Sequence, residues 1–253
     1  MLFVSCSTVR HPDWPNSSTI TGSEYYRTAA GYGWKQRDSL TQALLLDGNL
    51  PNFLRHFVPI HIRSVDSTNG RPIRLTYWVA PDYLSVGTNA DWARIHITPK
   101  TANAITGRFH CFLPTRKMVD QIYRSAKVKL EPVPMYAFRD STPTFWQHHL
   151  IVEGQRKERK GLIAGIQKDL VNTGKLNNYP QRDRVAIYGW HRLDGKPIQP
   201  LYTGHVWWYV DYSQGVRLIH TRMRVNGKWM NYREVFRDPI LGKLLCDETD
   251  CGF

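Results

Sequence analysis

Four strand-forming segments crowd the C-terminal part of the chain, and short turn signals separate them. Residues 184–191 (RVAIYGWH), 205–211 (HVWWYVD), 215–225 (GVRLIHTRMRV) and 228–230 (KWM) have the β-branched and aromatic content of strands. Asp194-Gly195, Ser213-Gln214-Gly215 and Asn226-Gly227 lie between them, and such residues supply the backbone conformations of tight hairpin loops. This punctuation commits residues 184–230 to antiparallel hairpins.

A second hairpin signal lies upstream. Ile60 and Ile62 alternate with His61 and Arg63. After Ser67-Thr68-Asn69-Gly70, Leu75, Tyr77 and Val79 alternate with Arg74, Thr76 and Trp78. Residues 92–98 (WARIHIT) read as a further strand. Helices interrupt the strands irregularly. One spans about 38–46 and ends at Asp47-Gly48, and Thr98-Pro99 caps a short one. Thr115 starts another, with Met118, Val119, Ile122, Tyr123 and Ala126 as its apolar stripe. A helix is expected over about 158–172, and Asn231 with Glu234 forms a capping box for a final short one. Without regular alternation the fold class is α+β: an antiparallel sheet of C-terminal hairpins, 184–230, packed with several helices. Residues 1–22 read as a leader or tether and 23–253 as one domain.

The leader contains Val4-Ser5-Cys6, which resembles the end of a bacterial lipoprotein signal. A lipid on Cys6 is the one membrane attachment expected, since no apolar run approaches the roughly 18 residues of a span. Cys246 and Cys251 are placed to close a small loop as a disulfide, which fits an oxidising, extracytoplasmic setting. Cys111 is then left as a lone thiol. Lys and Arg number 34 against 21 acidic residues, a net charge of +13, which points to an anionic partner. The charge is dispersed apart from residues 156–160, so an anionic or carbohydrate polymer such as peptidoglycan is expected rather than nucleic acid.

The chemistry concentrates in 201–223. With Tyr212-Ser213-Gln214-Gly215 as a hairpin turn, Asp211 faces Val216, Tyr209 faces Leu218, Trp207 faces His220 and His205 faces Arg222. One sheet face then holds all eight of these side chains. His205 is the candidate general base or acid, with His191 and Asp211 lining the cleft. Along a straight strand His205 and Asp211 stand ~20 Å apart, too far for a direct dyad. Arg222, His220, Trp207 and Tyr209 are candidate substrate-binding residues. Cys111, ahead of the Thr115 helix whose dipole favours a thiolate, is the candidate nucleophile. Cysteine near a helix, then histidine on a strand, resembles the order in papain-like peptidases at the level of roles alone. The NlpC type opens that helix with Asp-Cys-Ser-Gly, from which Phe109-His110-Cys111-Phe112-Leu113-Pro114 departs.

No cofactor is expected. Zinc is the metal that His148-His149, His191, His205, Asp211 and His220 would suit, although no HExxH is present. Residues 113–123 (LPTRKMVDQIY), 184–218 and 74–87 (RLTYWVAPDYLSVG) together resemble a family of uncharacterised secreted or lipid-anchored bacterial proteins. That resemblance implies a bacterial, extracytoplasmic setting and carries no activity. In that family the DYS segment often continues with His, where Gln214 stands here. The expected function is an extracytoplasmic hydrolase of peptidase or amidase type acting on a cell-wall or other anionic polymer. A noncatalytic glycan- or polyanion-binding surface protein is one alternative. The other is an acidic polysaccharide lyase, with Tyr209 or His205 as base and Arg222 on the uronate.

Overall fold

The upstream hairpin forms the longest ladder of the main sheet. In the computed structural model, which describes residues 9–10, 14–15, 17, 19–179, 181 and 183–253, Val58 pairs with Val79, Ile60 with Tyr77 and Ile62 with Leu75. Cys6 lies outside the described residues. The helices are α1 (Gly22–Ala29), α2 (Trp34–Leu46), α3 (Pro99–Arg108), α4 (Arg116–Ser125), α5 (Thr142–Arg156), α6 (Tyr232–Arg237) and α7 (Gly242–Leu245). The strands are β1 (Val9–Arg10), β2 (His56–Val65), β3 (Pro72–Val79), β4 (Ser85–Gly87), β5 (Trp92–Arg94), β6 (Cys111–Phe112), β7 (Val128–Lys129) and β8 (Ile163–Ala164). They continue with β9 (Lys168–Leu170), β10 (Arg184–His191), β11 (Pro197–Val206), β12 (Gln214–Gly215), β13 (Ile219–His220), β14 (Arg222–Val225) and β15 (Lys228–Asn231).

Two sheets organise these elements. A seven-stranded sheet runs β1-β2-β3-β13-β6, with β14 joining β3 and β15 joining β14. A four-stranded sheet runs β11-β10-β9-β12. The class is α+β, as expected. Alternation along its strands gives the larger sheet two apolar faces. Cys111 and Leu218 belong to one core with side chains of α1, α2, α3 and α5; Phe112 and Ile219 belong to the other with those of α4, α6 and α7. Met118 and Ile122 of the Thr115-capped helix are buried there. Each such side chain contributes about 1.5–3 kcal/mol of burial.

Part of the expected tether packs on this body. Val9 and Arg10 pair with Phe57 and His56, Trp14 is buried and stacks on Phe109 at 4.2 Å, and the N–H groups of Thr19 and Ile20 donate to Asn49 Oδ1. At the other end the Cys246–Cys251 disulfide is formed.

Two expectations fail. No helix spans 158–172; α5 lies earlier, with Ser141 as its N-cap and Pro143 in its first turn, and the segment after it holds β8 and β9. Lys157 and Glu158 adopt φ of 48° and 60°, and Gly161 and Gly165 adopt 123° and 92°, none of which a right-handed helix admits. The hairpin proposed between 205–211 and 216–222 does not form either. Its turn comes one residue early, where Gln214 N–H donates to Asp211 C=O and the Asp211 carboxylate takes Ser213 N–H and Oγ. The chain then runs buried from Asp211 to Ile219. Gln214 and Gly215 pair in parallel with β9, and the Val216 and Leu218 carbonyls accept from Leu84 and Ala80 N–H. Distant backbone out-competed the local turn. The β14–β15 hairpin forms as expected, whereas the strand expected over 205–211 lies earlier: β11 covers Pro197–Val206 and pairs with β10, and 207–211 leaves the sheet.

Candidate functional site

Losing that hairpin divides the sequence-derived site among three places. Cys111, His220 and Arg222 lie in the seven-stranded sheet, where Cys111 pairs with His220. Cys111 is buried, its Sγ donates to Phe109 C=O, and burial alone pushes its thiol pKa well up. That environment does not generate a thiolate. Arg222 is exposed and its guanidinium sits 5.0 Å over Trp229; His220 Nδ1 accepts from Arg222 N–H.

His191 occupies a second place. It closes β10, pairing with Pro197, whereas His205 pairs with Val185, so six residues or about 20 Å of strand separate them. His191 is buried with Nε2 2.9 Å from Asp120 Oδ1, and Tyr188 Oη donates to the same oxygen at 2.9 Å. Tyr123 stacks on the ring at 4.5 Å. Burial opposes the Asp120 charge, but the His191 and Tyr188 bonds hold its carboxyl below the ordinary value. The dyad is well oriented, yet its imidazole is sealed and committed to Asp120.

The third place holds His205, Tyr209 and Asp211, with Trp207 beside it. The strand ends at Val206, and Tyr209 N–H donates back to Val206 C=O. This turn, absent from the straight-strand estimate, brings Asp211 within electrostatic reach of His205. Asp211 is buried and accepts from Arg139 at 2.8 Å and Lys168 Nζ at 3.3 Å. Lys168 comes from the middle of the four-stranded sheet, between Gly189 of β10 and Gln214 of β12. Next to it, Gly189 at φ 107° and Trp190 at φ 58° distort β10, and the Trp190 ring lies 6.0 Å from the ammonium. Burial lowers the Lys168 pKa, and Asp211 opposes that shift. His205 is half-buried between the rings of Tyr202 at 5.0 Å and Tyr209 at 5.7 Å. Burial first and Lys168 second hold its pKa below the ordinary value, so it is a neutral base at pH 7.

Beyond this cluster an aromatic ridge carries two clefts. Trp34 of α2 packs edge-on to Trp207 at 5.6 Å and stacked to Trp208 at 6.1 Å. Trp208 remains 45% exposed, a large apolar area for a turn position. Trp207 lines a cleft of about 460 Å³ between the start of α3, β10 and the 172–179 loop. Trp34, Trp208 and Tyr209 line a cleft of about 320 Å³ that also holds Tyr32, Arg37 and Asp140.

His148 and His149, candidate zinc ligands by sequence, are buried on α5, where burial lowers both pKa values, to about 3 for His148. Among the described residues no three His, Cys, Asp or Glu side chains converge so as to hold a metal ion.

No family model, curated protein or solved structure matches this chain. The site therefore stands on its own geometry. Lys168, Arg139, Asp120 and Trp34 had no local signal as site residues. Lys168 sat inside the misplaced helix, and Asp120 lay in the polar part of an amphipathic one.

Proposed function

We propose that this protein binds a carbohydrate-containing polymer of the cell envelope, such as peptidoglycan, outside the cytoplasm. The observation that carries this reading is the Trp34–Trp207–Trp208 ridge with a cleft on either side. Indole faces stack on the C–H faces of sugar rings, and two clefts flanking one ridge suit consecutive units of a chain rather than a single small molecule. The Cys246–Cys251 disulfide supports the extracytoplasmic setting. Trp208→Ala should weaken binding to purified cell-wall polymer at least tenfold, because truncating a central aromatic anchor commonly costs about 2 kcal/mol. Its exposure leaves the fold little affected. Undiminished binding by both Trp208→Ala and Trp207→Ala, measured by sedimentation with the polymer, would falsify the ridge as the recognition surface.

A second reading, that the bound polymer is also cleaved, is favoured by His205. A neutral, half-buried imidazole beside the Tyr209 ring and within the field of the buried Lys168 cation has the character of a general base. Hydrolysis needs that base to activate water; lyase chemistry needs it to take an α-proton. The Cys111 thiol takes no part. Under this reading His205→Gln abolishes release of fragments while binding persists. Release of unsaturated product, absorbing at the short-wavelength edge of the ultraviolet, marks the lyase form. If the wild-type protein releases no fragments, the binding reading stands alone.

A further inference from the structure

We infer that the 460 Å³ cleft is a subsite for a sugar residue bearing a carboxylate; the inference rests on the polymer-binding reading and specifies which unit that surface reads. Its size falls within the roughly 300–1,000 Å³ usual for small-ligand sites. Among the described residues, the charged side chains in its wall are Lys100 and Arg184, both cationic, and no carboxylate lines it. Asp183 partly neutralises Arg184 at 3.3 Å, whereas Lys100 makes no ion pair among the described residues. The Lys100 ammonium sits 3.7 Å over the Trp207 ring instead, which fixes a positive charge at the lip beside a stacking surface. Tyr179, with the Arg184 guanidinium 5.6 Å over it, offers a second ring in the lining. Buried Leu170 and Ala186 give part of the lining an apolar character, and Asn172 and Asn177 also line it. Apolar lining, amides, rings and two cations, of which Arg184 alone has a counter-charge among the described residues, together match a pyranose with a carboxylate. A neutral sugar would supply no counter-charge to Lys100.

The wall is also braced. The 246–251 disulfide loop holds the 172–179 segment, with Thr173 Oγ1 donating to Glu248, Gly174 N–H to Asp250 C=O at 3.0 Å and Asn177 Nδ2 to Asp250 Oδ2 at 3.1 Å. Those contacts consume the nearby acidic groups and keep them out of the cleft. The other cleft differs in kind, since Asp140 there offsets Arg37.

The test uses a uronic-acid oligosaccharide and its carboxyl-reduced, neutral counterpart, titrated calorimetrically into the full chain at low and moderate salt. The charged probe should bind at least tenfold tighter, and Lys100→Gln should remove most of that preference, read as the ratio of the two affinities in the same variant. Lys100 is exposed in the first turn of α3, so the variant is expected to fold. Arg184→Gln provides a second variant with the same expected direction. Equal binding of the two probes by the wild-type protein overturns the carboxylate subsite and leaves the polymer reading intact. A preference that survives in both variants overturns this cleft as its origin. Binding of neither probe overturns the carboxylate subsite, and sedimentation with purified cell-wall polymer then decides the polymer reading separately.

Discussion

Asp82→Asn is expected to lower the unfolding free energy by about 3–5 kcal/mol, the loss typical when one partner of a buried ion pair is removed. Arg94 is 1% exposed and Asp82 2%, and they meet in a fork: Nε to Oδ1 at 2.9 Å and Nη2 to Oδ2 at 2.7 Å. Glu153 of α5 adds a third contact to Nη2 at 2.7 Å, and Trp92 lies 5.0 Å beneath the guanidinium. Burial disfavours the Arg94 charge, yet the two carboxylates hold its pKa above the ordinary value. An asparagine at position 82 keeps the shape, removes the charge and turns an amide N–H₂ toward guanidinium N–H groups. Glu153→Gln should cost about 1 kcal/mol or less, because that carboxylate is 30% exposed and water compensates it. Urea denaturation resolves the contrast as a large midpoint shift at constant m-value for Asp82→Asn and a small one for Glu153→Gln. Equal shifts would show that Arg94 is better solvated than its packing implies. The pair ties β5 to the loop before β4 and to α5, so it braces the core on the side of the sheet where α2 presents Trp34.

What the sequence made legible was local. The β2–β3 register follows from its alternation, and Thr98, Thr115 and Asn231 cap helices because each side chain accepts from an N–H within three residues. Residues 158–172 misled because charged and apolar positions there imitate helical spacing, while the left-handed φ values after α5 are set by tertiary context. Residues 211–219 misled for a related reason. A Ser-Gln-Gly turn signal is worth little against a buried path in which Arg217 donates to Ala80 C=O at 3.0 Å and Ile163 C=O at 2.8 Å. The site followed the same rule. His205, Trp207, Tyr209 and Asp211 were recognised because they share one segment. Arg139 and Lys168 come from other segments, and no pattern in 201–223 announces them.

Asp211→Asn should be the most damaging single change within the site, with an expected loss of about 3 kcal/mol, the lower end for breaking a buried pair. The Arg139 contribution is small, since that side chain is 39% exposed and screened by solvent. The loss comes from Lys168, whose side chain is 6% exposed and would keep an ammonium with no counter-charge at 3.3 Å. Two measurements separate this cause from a general packing defect. In Lys168→Met/Asp211→Asn the buried cation is gone, so the double variant should be more stable than Asp211→Asn alone. The second is pH dependence. Burial opposes the Asp211 charge, but Lys168, Arg139 and Ser213 outweigh it and hold the folded pKa below the unfolded value of about 3.9. A depressed carboxyl pKa stabilises the fold above the unfolded value, and that stabilisation disappears as pH falls through the folded value. Wild-type stability should therefore decline below about pH 4 more steeply than that of Asp211→Asn. His205 reports the same field: losing the Asp211 charge lowers its pKa further, and Lys168→Met raises it, both readable by NMR titration. A double variant no more stable than Asp211→Asn, with an unmoved His205 titration, would mean that Lys168 does not set the electrostatics of this cluster.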